Sequence, residues 1–512
     1  VEDPADPRFF SISRVVDPAG AEMEVEFDRQ ANPVATTDPL GYRKTVLRDS
    51  RGLPLAIRDD EGALERFSWT PEGRLASWRS PKGGSIRITY DAFGRIVEQL
   101  TEGEGAQKFD TDATGRIVRM TRADGSSIRL GYDAEGHLGS FTDEAGKRIA
   151  WDYAGFGLPL RRTNPDGTQI FYSYDSELNL TGIKNELGEV YALAYDPDQR
   201  LVAETEFDGR RREYTPDANG DTIFYRDGRR EHRLSRDPMG RLLRRDSSDG
   251  SWADYRYDLV GRMTEATNEV RACFFGYDLC GYLTREVQDG LAADHVISPR
   301  GRRAATFLPD GRFVRFGWDQ NDMLGDIAIG ERSVIAIDRD RMGRETSRRS
   351  GGILQNSDYD PQGRLQRQKA WREGVVSPIF GREYFYGQTG VITGIEDMAR
   401  GSAGFRHDVR DQLLQVSGAE PEHFSFDPAG RLLTDHATSR DASIVRGRLM
   451  MRGDSHYSYD DAGNRVLQHR GEGGRIVTTY GYDDMNQLTL VSETAGRRWR
   501  DTRFDYDALG RS

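Results

Sequence analysis

The chain has 512 residues, 36% of them apolar and 30% charged, and a formal net charge of −12. That charge argues against broad nucleic-acid binding, two cysteines exclude a disulfide scaffold, and no run of 18 apolar residues is present to cross a membrane as a helix. The low apolar share points towards disorder, but 22 tyrosines and 22 phenylalanines set at regular intervals point to an ordered repeat chain.

In chain order, Val1-Glu2-Asp3-Pro4 carry neither an initiator methionine nor a signal-peptide pattern, which reads as a piece of something longer. An aromatic-plus-turn signature then recurs at steps of 20 or 21 residues. It passes Phe27-Asp28, Arg48-Asp49, Trp69 with Gly73-Arg74-Leu75, Tyr90-Asp91 with Gly94-Arg95-Ile96, Thr111-Asp112, Tyr132-Asp133 with Gly136, and Tyr153. It continues through Tyr174-Asp175, Tyr195-Asp196, Pro216-Asp217, Arg236-Asp237, Tyr257-Asp258, Tyr277-Asp278, Ile297, Trp318-Asp319, Arg339-Asp340 and Tyr359-Asp360. A fixed period in this range marks a repeat architecture and displaces any estimate of domain number from length.

The half of each unit before the aromatic alternates with period two. Ile86, Ile88 and Tyr90 share a face, as do Ile128, Leu130 and Tyr132, and that pattern predicts a half-buried strand. Midway between motifs stand Asp124-Gly125, Asp166-Gly167, Asp208-Gly209, Asp249-Gly250, Asp289-Gly290 and Asp310-Gly311, a hairpin signal that rests on positive φ. The Asp-x-x-Gly-Arg segment supplies the second turn. Each unit is therefore a β-hairpin. About 22 of them make roughly 44 antiparallel strands, a strip of about 210 Å at ~4.8 Å per strand. An open sheet of that size curls, into either a packed solenoid or a wide hollow spiral.

After Tyr359 the steps become irregular, through Tyr386, His407-Asp408, Phe426-Asp427, Tyr459-Asp460, Tyr482-Asp483 and Tyr506-Asp507. Residues 1–365 read as a regular wall and 366–512 as an irregular continuation, with the longest excursion, about 436–456, expected as a loop on one face or as atypical units near an end.

The chemistry-bearing residues have plain structural readings. The Asp-x-x-Gly turns lack the spacing of an EF-hand or a calcium β-roll. Cys273 and Cys280 have no second cysteine pair to complete a zinc site. No Gly-x-Ser-x-Gly elbow, phosphate loop or His-Glu-x-x-His occurs. Asp59-Asp60 and Asp483-Asp484 sit in turns and read as solvated. The recurring tyrosines read as stacked ladders, and the motif arginines as bridges between turns or cation–π partners of the rings. Only six of the 72 basic residues are lysines; arginine suits both roles, although a GC-rich genome produces the same bias.

The unit, aromatic-Asp-x-x-Gly-Arg-Leu/Ile, resembles the Rhs/YD-repeat family. Its clear copies are Tyr90-Asp91-Ala92-Phe93-Gly94-Arg95, Tyr132-Asp133 with Gly136, Tyr257-Asp258-Leu259-Val260-Gly261-Arg262 and Tyr359-Asp360-Pro361-Gln362-Gly363-Arg364. Phe426-Asp427-Pro428-Ala429-Gly430-Arg431 and Tyr506-Asp507-Ala508-Leu509-Gly510-Arg511 complete the set. The resemblance implies an all-β spiral of hairpins closing into a hollow shell. In bacterial members, among them type VI secretion effectors, contact-dependent toxins and insecticidal toxin complex C subunits, the shell encloses a C-terminal toxin domain. It further implies a delivery component such as a secretion spike, a chaperone and an immunity protein as partners. It places the protein as an effector made in the cytoplasm and exported by a specialised system. Members cut themselves within a segment resembling Asp-x-x-Gly-x-x-x-x-Asp-Pro-x-Gly-Leu, and this sequence ends at Ser512 with neither that segment nor a toxin. The Asp-Pro pairs at Asp17, Asp38, Asp237, Asp360 and Asp427 fall in repeat turns. No catalytic residue, metal ligand or cofactor is assigned, and the shell is expected to be non-catalytic. Teneurins share the shell, so adhesion or carbohydrate binding is the alternative, for which Asn179-Leu180-Thr181 is the lone glycosylation sequon. A self-cleaving enzyme is the third.

Overall fold

The computed structural model describes residues 11–435, 442–445, 447–471 and 475–512. They form 48 strands in a 41-stranded and a 7-stranded sheet, with no α-helix among them and one 3-10 turn at Gly155–Gly157. Within each sheet, strands pair antiparallel with their neighbours in sequence, so that Ser85–Tyr90 pairs with Ile96–Thr101 and Gly105–Thr111 pairs with Ile96–Thr101 on the other side. The wall is all-β, one hairpin per unit.

Both kinds of turn share one design. In the motif turn, Asp91 N donates to Arg95 O (2.9 Å) and Gly94 N to Asp91 O (3.0 Å). Gly94 takes φ +82°, the left-handed position that closes a three-residue hairpin loop. The mid-unit turn repeats this at Arg122–Ser126 (2.9 Å). At Asp289-Gly290, by contrast, both residues have positive φ (+52° and +82°), and Gln288 pairs directly with Leu291 across a two-residue loop.

Two irregular steps have local causes. Between Asp360 and Gly387 the strands Leu365–Arg372 and Phe380–Tyr386 are joined by a longer turn. Of the two readings of the 436–456 excursion, a loop on one face or atypical units near an end, the described strands support the second. Residues 436–441 and 446 lie outside the described residues, but Ala442–Val445, Arg448–Arg452 and Ser455–Tyr459 are paired strands. A shortened unit is present there, with Gly447-Arg448-Leu449 as its motif remnant.

The strip coils. Turn residues meet others 237, 238, 242 and 236 positions away, at Lys82–Asp319, Gln362–Asp124, Arg431–Glu189 and Ser248–Asp484. Between Lys82 and Asp319 lie 23 strands. At ~4.8 Å each these give a circumference of about 110 Å, a backbone diameter of about 35 Å and, after ~5 Å of side chain on each inner face, a bore of about 25 Å. Side chains fill an eight-stranded barrel but not one this wide. The accessible surface agrees: 30,079 Å², against about 19,000 Å² for a compact chain of this mass. The structure is a hollow spiral of about two coils. Its main buried apolar cluster, Ala253, Tyr255, Ala266, Cys273 and Ala508, lies where the second coil meets the first.

Small-angle scattering should therefore give a radius of gyration above the ~24 Å of a compact chain of this length. A value at or below it would contradict a hollow wall.

Candidate functional site

The motif residues form a repeating bond set. Tyr90 Oη donates to Leu75 O, one unit back, at 2.9 Å. The same bond joins Tyr132 to Ile117, Tyr257 to Leu242, Tyr359 to Glu345 and Tyr506 to Leu488, at 2.8–3.0 Å. Phe426 lacks the hydroxyl that makes it. Asp91 Oδ1 accepts from Phe93 N and Arg95 N (both 2.9 Å), and its Oδ2 accepts from Arg95 Nε at 2.6 Å. Asp258 with Arg262, Asp360 with Arg364 and Asp507 with Arg511 do the same at 2.6–2.7 Å. In Asp133 the partner is His137 Nδ1, at 3.1 Å. The far side of the guanidinium then reaches forward, Arg95 Nη1 to Asp112 O at 3.2 Å and Arg262 Nη1 to Asp278 O at 2.9 Å. Gly136, Gly261, Gly363, Gly430 and Gly510 all hold the left-handed corner. Arg431 departs from the pattern. Its backbone N binds Asp427 Oδ1 at 2.9 Å, while its guanidinium leaves the turn for Glu189.

The tyrosines do not stack on one another. Arg74 lies over Tyr90 at 5.8 Å, Arg116 over Tyr132 at 4.6 Å, Arg241 over Tyr257 at 5.1 Å and Arg344 over Tyr359 at 5.1 Å. The reason is spacing. Equivalent rings stand two strands apart, about 9.6 Å, beyond the 4.5–7 Å at which rings interact, so the previous unit's guanidinium fills the gap. Nor is an aromatic required. Arg48, Arg236 and Arg339 occupy the tyrosine position and donate to Pro33 O (2.9 Å), Thr222 O (3.1 Å) and Leu324 O (3.3 Å). Trp69 Nε1 reaches Pro54 O at 2.6 Å. A long side chain ending in a donor makes the bond whatever its type, while Phe27, Thr111, Pro216, Ile297 and Phe426 hold the position without such a donor.

The second constellation is the seam between coils. It joins unlike edges: motif turns of the second coil sit on mid-unit turns of the first. Arg300 Nε lies 2.8 Å from both Asp59 Oδ2 and Glu61 Oε2, and Tyr42 Oη donates to Asp59 at 2.6 Å. Lys82 pairs with Asp319, and Arg448 with Asp208, each at 2.8 Å. Asp484 accepts from Ser248 Oγ (2.6 Å) and Asp249 N (2.8 Å). Asp59 and Asp484 are therefore not solvated turn acids; they tie the coils. Gly84 lies so close to the second coil that a Cβ there would stand 2.4 Å from Arg341 O. None of these pairings was visible in the sequence, because no local pattern records a separation of about 240 residues.

The titrating groups are tuned for cohesion. The Arg95 and Arg200 backbone N–H groups hold Asp91 and Asp196 below the usual carboxylate range. For Asp237 and Asp258, partial burial pushes upward and is outweighed by bonds from Arg241 and Arg262. Burial pushes both thiols up, Cys280 to about 11, so each is a protonated, weak nucleophile near neutrality. Burial lowers His232, which stacks on Tyr225 at 4.2 Å.

With this geometry in place, the relatives can be placed beside it. An RHS Repeat family model matches residues 174–211. The double-stranded DNA deaminase toxin A of Burkholderia cenocepacia (strain H111) is 28% identical over 362 residues, 63% of this chain and 24% of that protein. The probable deoxyribonuclease RhsB of Dickeya dadantii (strain 3937) is 28% identical over 208 residues, 38% of this chain and 14% of that protein. This is an Rhs/YD-repeat chain. It spans about a quarter or less of the length of these curated relatives. The Rhs wall is similar in fold to a TcdB2–TccC3–Cdc42 complex, with TM-score 0.73 and 11% identity over 97% of this chain and 39% of that one. It is also similar to the Photorhabdus luminescens Tc holotoxin pore, with TM-score 0.56 and 11% identity over 96% and 38%.

Two outcomes are expected. Tyr257→Phe removes one ladder bond and should lower the unfolding free energy by about 1 kcal/mol in urea titrations, with Tyr257→Ala falling further; an unchanged midpoint for Tyr257→Phe would refute the ladder bond. On acidification, the unfolded chain binds protons before the folded one wherever the folded pKa is lowered. For His232 and His295 that window opens below 6.5, and for the motif aspartates below 3.8. The Tm of the Rhs chain should thus fall slightly below about pH 6.5 and steeply below about pH 4, and His232→Gln should shrink the first phase alone.

Proposed function

We propose that this chain is part of the non-catalytic wall of a bacterial Rhs-type toxin, which encloses a toxin domain of the same polypeptide until delivery into a target cell. One observation carries the reading: a strip of hairpins sealed to itself through its turns, around a bore that its own side chains do not fill. The named activities of the relatives, a deaminase toxin and probable deoxyribonucleases, belong to proteins of which the matched stretch makes up a quarter or less, which fits a division between a wall and a separate catalytic part. On this reading residues 1–365 and 366–512 are one continuous wall and the motif residues are structural. The wall works by steric exclusion with no cofactor, and a dedicated secretion system exports the assembly.

The test uses the full natural polypeptide on both sides of these residues. Its toxin domain should resist a protease while the wall is folded, and be cut as fast as the isolated domain once urea opens the wall. Equal rates in the two states overturn the proposal.

A further inference from the structure

One face of the wall carries a run of cations that the fold leaves unpaired. Arg66, Arg79, Arg87, Lys108, Arg119 and Arg129 are all exposed, on six of the seven strands from Leu64–Trp69 to Ser127–Tyr132. The register sets all six on the same face. Arg66 stands directly opposite Arg79, Arg87 opposite Ser77 and Leu100, Lys108 opposite Glu98 and Thr121, and Arg119 opposite Arg129. Only two carboxylates share that face in this stretch, Glu98 and Asp110. Among the described residues, no side-chain hydrogen bond or ion pair reaches any of the six charged groups. Glu102, on which Arg79 acts at longer range, is itself held by Ser85 and Arg341.

Further along the strip the same face sets arginine against carboxylate. Arg161 pairs with Asp152, Arg244 with Asp254, Arg285 with Asp294 and Arg367 with Glu383, at 2.6, 3.0, 3.1 and 2.7 Å. In the unpaired run, Arg66 against Arg79 and Arg119 against Arg129 are like charges in direct opposition, which weaken the hairpins that hold them. The wall gains nothing from that arrangement, whereas an anionic ligand does.

We propose that this face is the docking site for an extended acidic segment of the same polypeptide, from the part outside these 512 residues. Six strand steps make a strip of about 29 Å, which about nine residues of extended chain span. No aromatic ring stands on the face in this stretch, so it offers bases no stacking platform and a bilayer no interfacial anchor. Exposed charges are screened within about 8 Å at physiological salt, so a free acidic peptide is held weakly. A tethered one acts at an effective concentration on the order of millimolar. The polypeptide has room to supply it, since the matched stretch makes up a quarter or less of each curated relative. Such docking requires the wall alone, whether or not a toxin is enclosed.

Zero-length carbodiimide coupling of the full natural polypeptide, which joins an amine to a carboxylate in contact with it, tests this by peptide mass mapping. Lys108 should join to Asp or Glu residues of the same polypeptide outside residues 1–512, and so should the lysines introduced by Arg79→Lys and Arg119→Lys. The links should vanish in about 1 M salt, where the screening length is about 3 Å. Lys184, exposed on the same face but beyond the run, should give none. No link from Lys108 except to Glu98, equal linking by Lys184, or links to a second protein would overturn the proposal. So would links between copies in a mixture of isotope-labelled and unlabelled polypeptide. Binding of a labelled oligonucleotide that Arg66→Ser with Arg129→Ser abolishes would make nucleic acid the occupant and overturn it too. Protease resistance of the toxin domain is measured separately, so the enclosing wall and this docking face can fail independently.

Discussion

A donor carried at the far end of a long side chain, and offered to a carbonyl one unit back, sets the pitch of this wall. Backbone ladders alone hold strand to strand, but they leave each hairpin free to splay or twist against the next. The bond from Tyr90 to Leu75 O, repeated down the chain, locks unit to unit at one edge. It also explains the tolerance at that position, where Arg48 and Trp69 serve as well as tyrosine. The arginine of the preceding motif then occupies the space between rings, so that hydrogen bond, ion pair and cation–π contact share one guanidinium. Each contact is small on an exposed surface. Repetition makes them matter, since stability in such an array sums over units and their interfaces.

The seam uses a different chemistry for a different problem. Neighbouring units meet along whole strands, whereas coils meet only through the tips of turns, where little apolar surface is available. Charge and hydrogen bonding carry that junction, with second-coil tips supplying both signs, as in Arg300 on Asp59 and Asp319 on Lys82. Where apolar burial does occur, around Ala253, Cys273 and Ala508, it lies on this junction.

How much of this was legible in the sequence follows from how far each interaction reaches. The hairpin, its two turns and the repeat period lie within 21 residues, and a strip too long to stay flat follows from counting strands. The expected ring-on-ring ladder misread the spacing, since the period in residues does not reveal that equivalent rings stand two strands apart. The unit at Gly447-Arg448-Leu449 was not singled out because Ser443 and Ile444 stand where the motif's aromatic and aspartate would, although the Gly-Arg-Leu triplet was there to be seen. Seam partners such as Arg300 with Asp59 were beyond reach. Their separation is the circumference of the coil, which accumulates from the small curvature of 23 strands and is written in no single one of them.

The head-to-tail order of the seam also has a kinetic side. A second-coil tip can settle only on a first-coil edge that already exists, and the two are about 240 residues apart. At a synthesis rate of ~5–20 residues per second, each unit of the first coil waits roughly 12–48 s for its seam partner to emerge. For that time the nascent wall is an open strip with both edges bare, held by its own hairpins and their ladder. The local bonds must therefore make each unit stable alone with its neighbours, and the later coil then zips on in the order in which it is made.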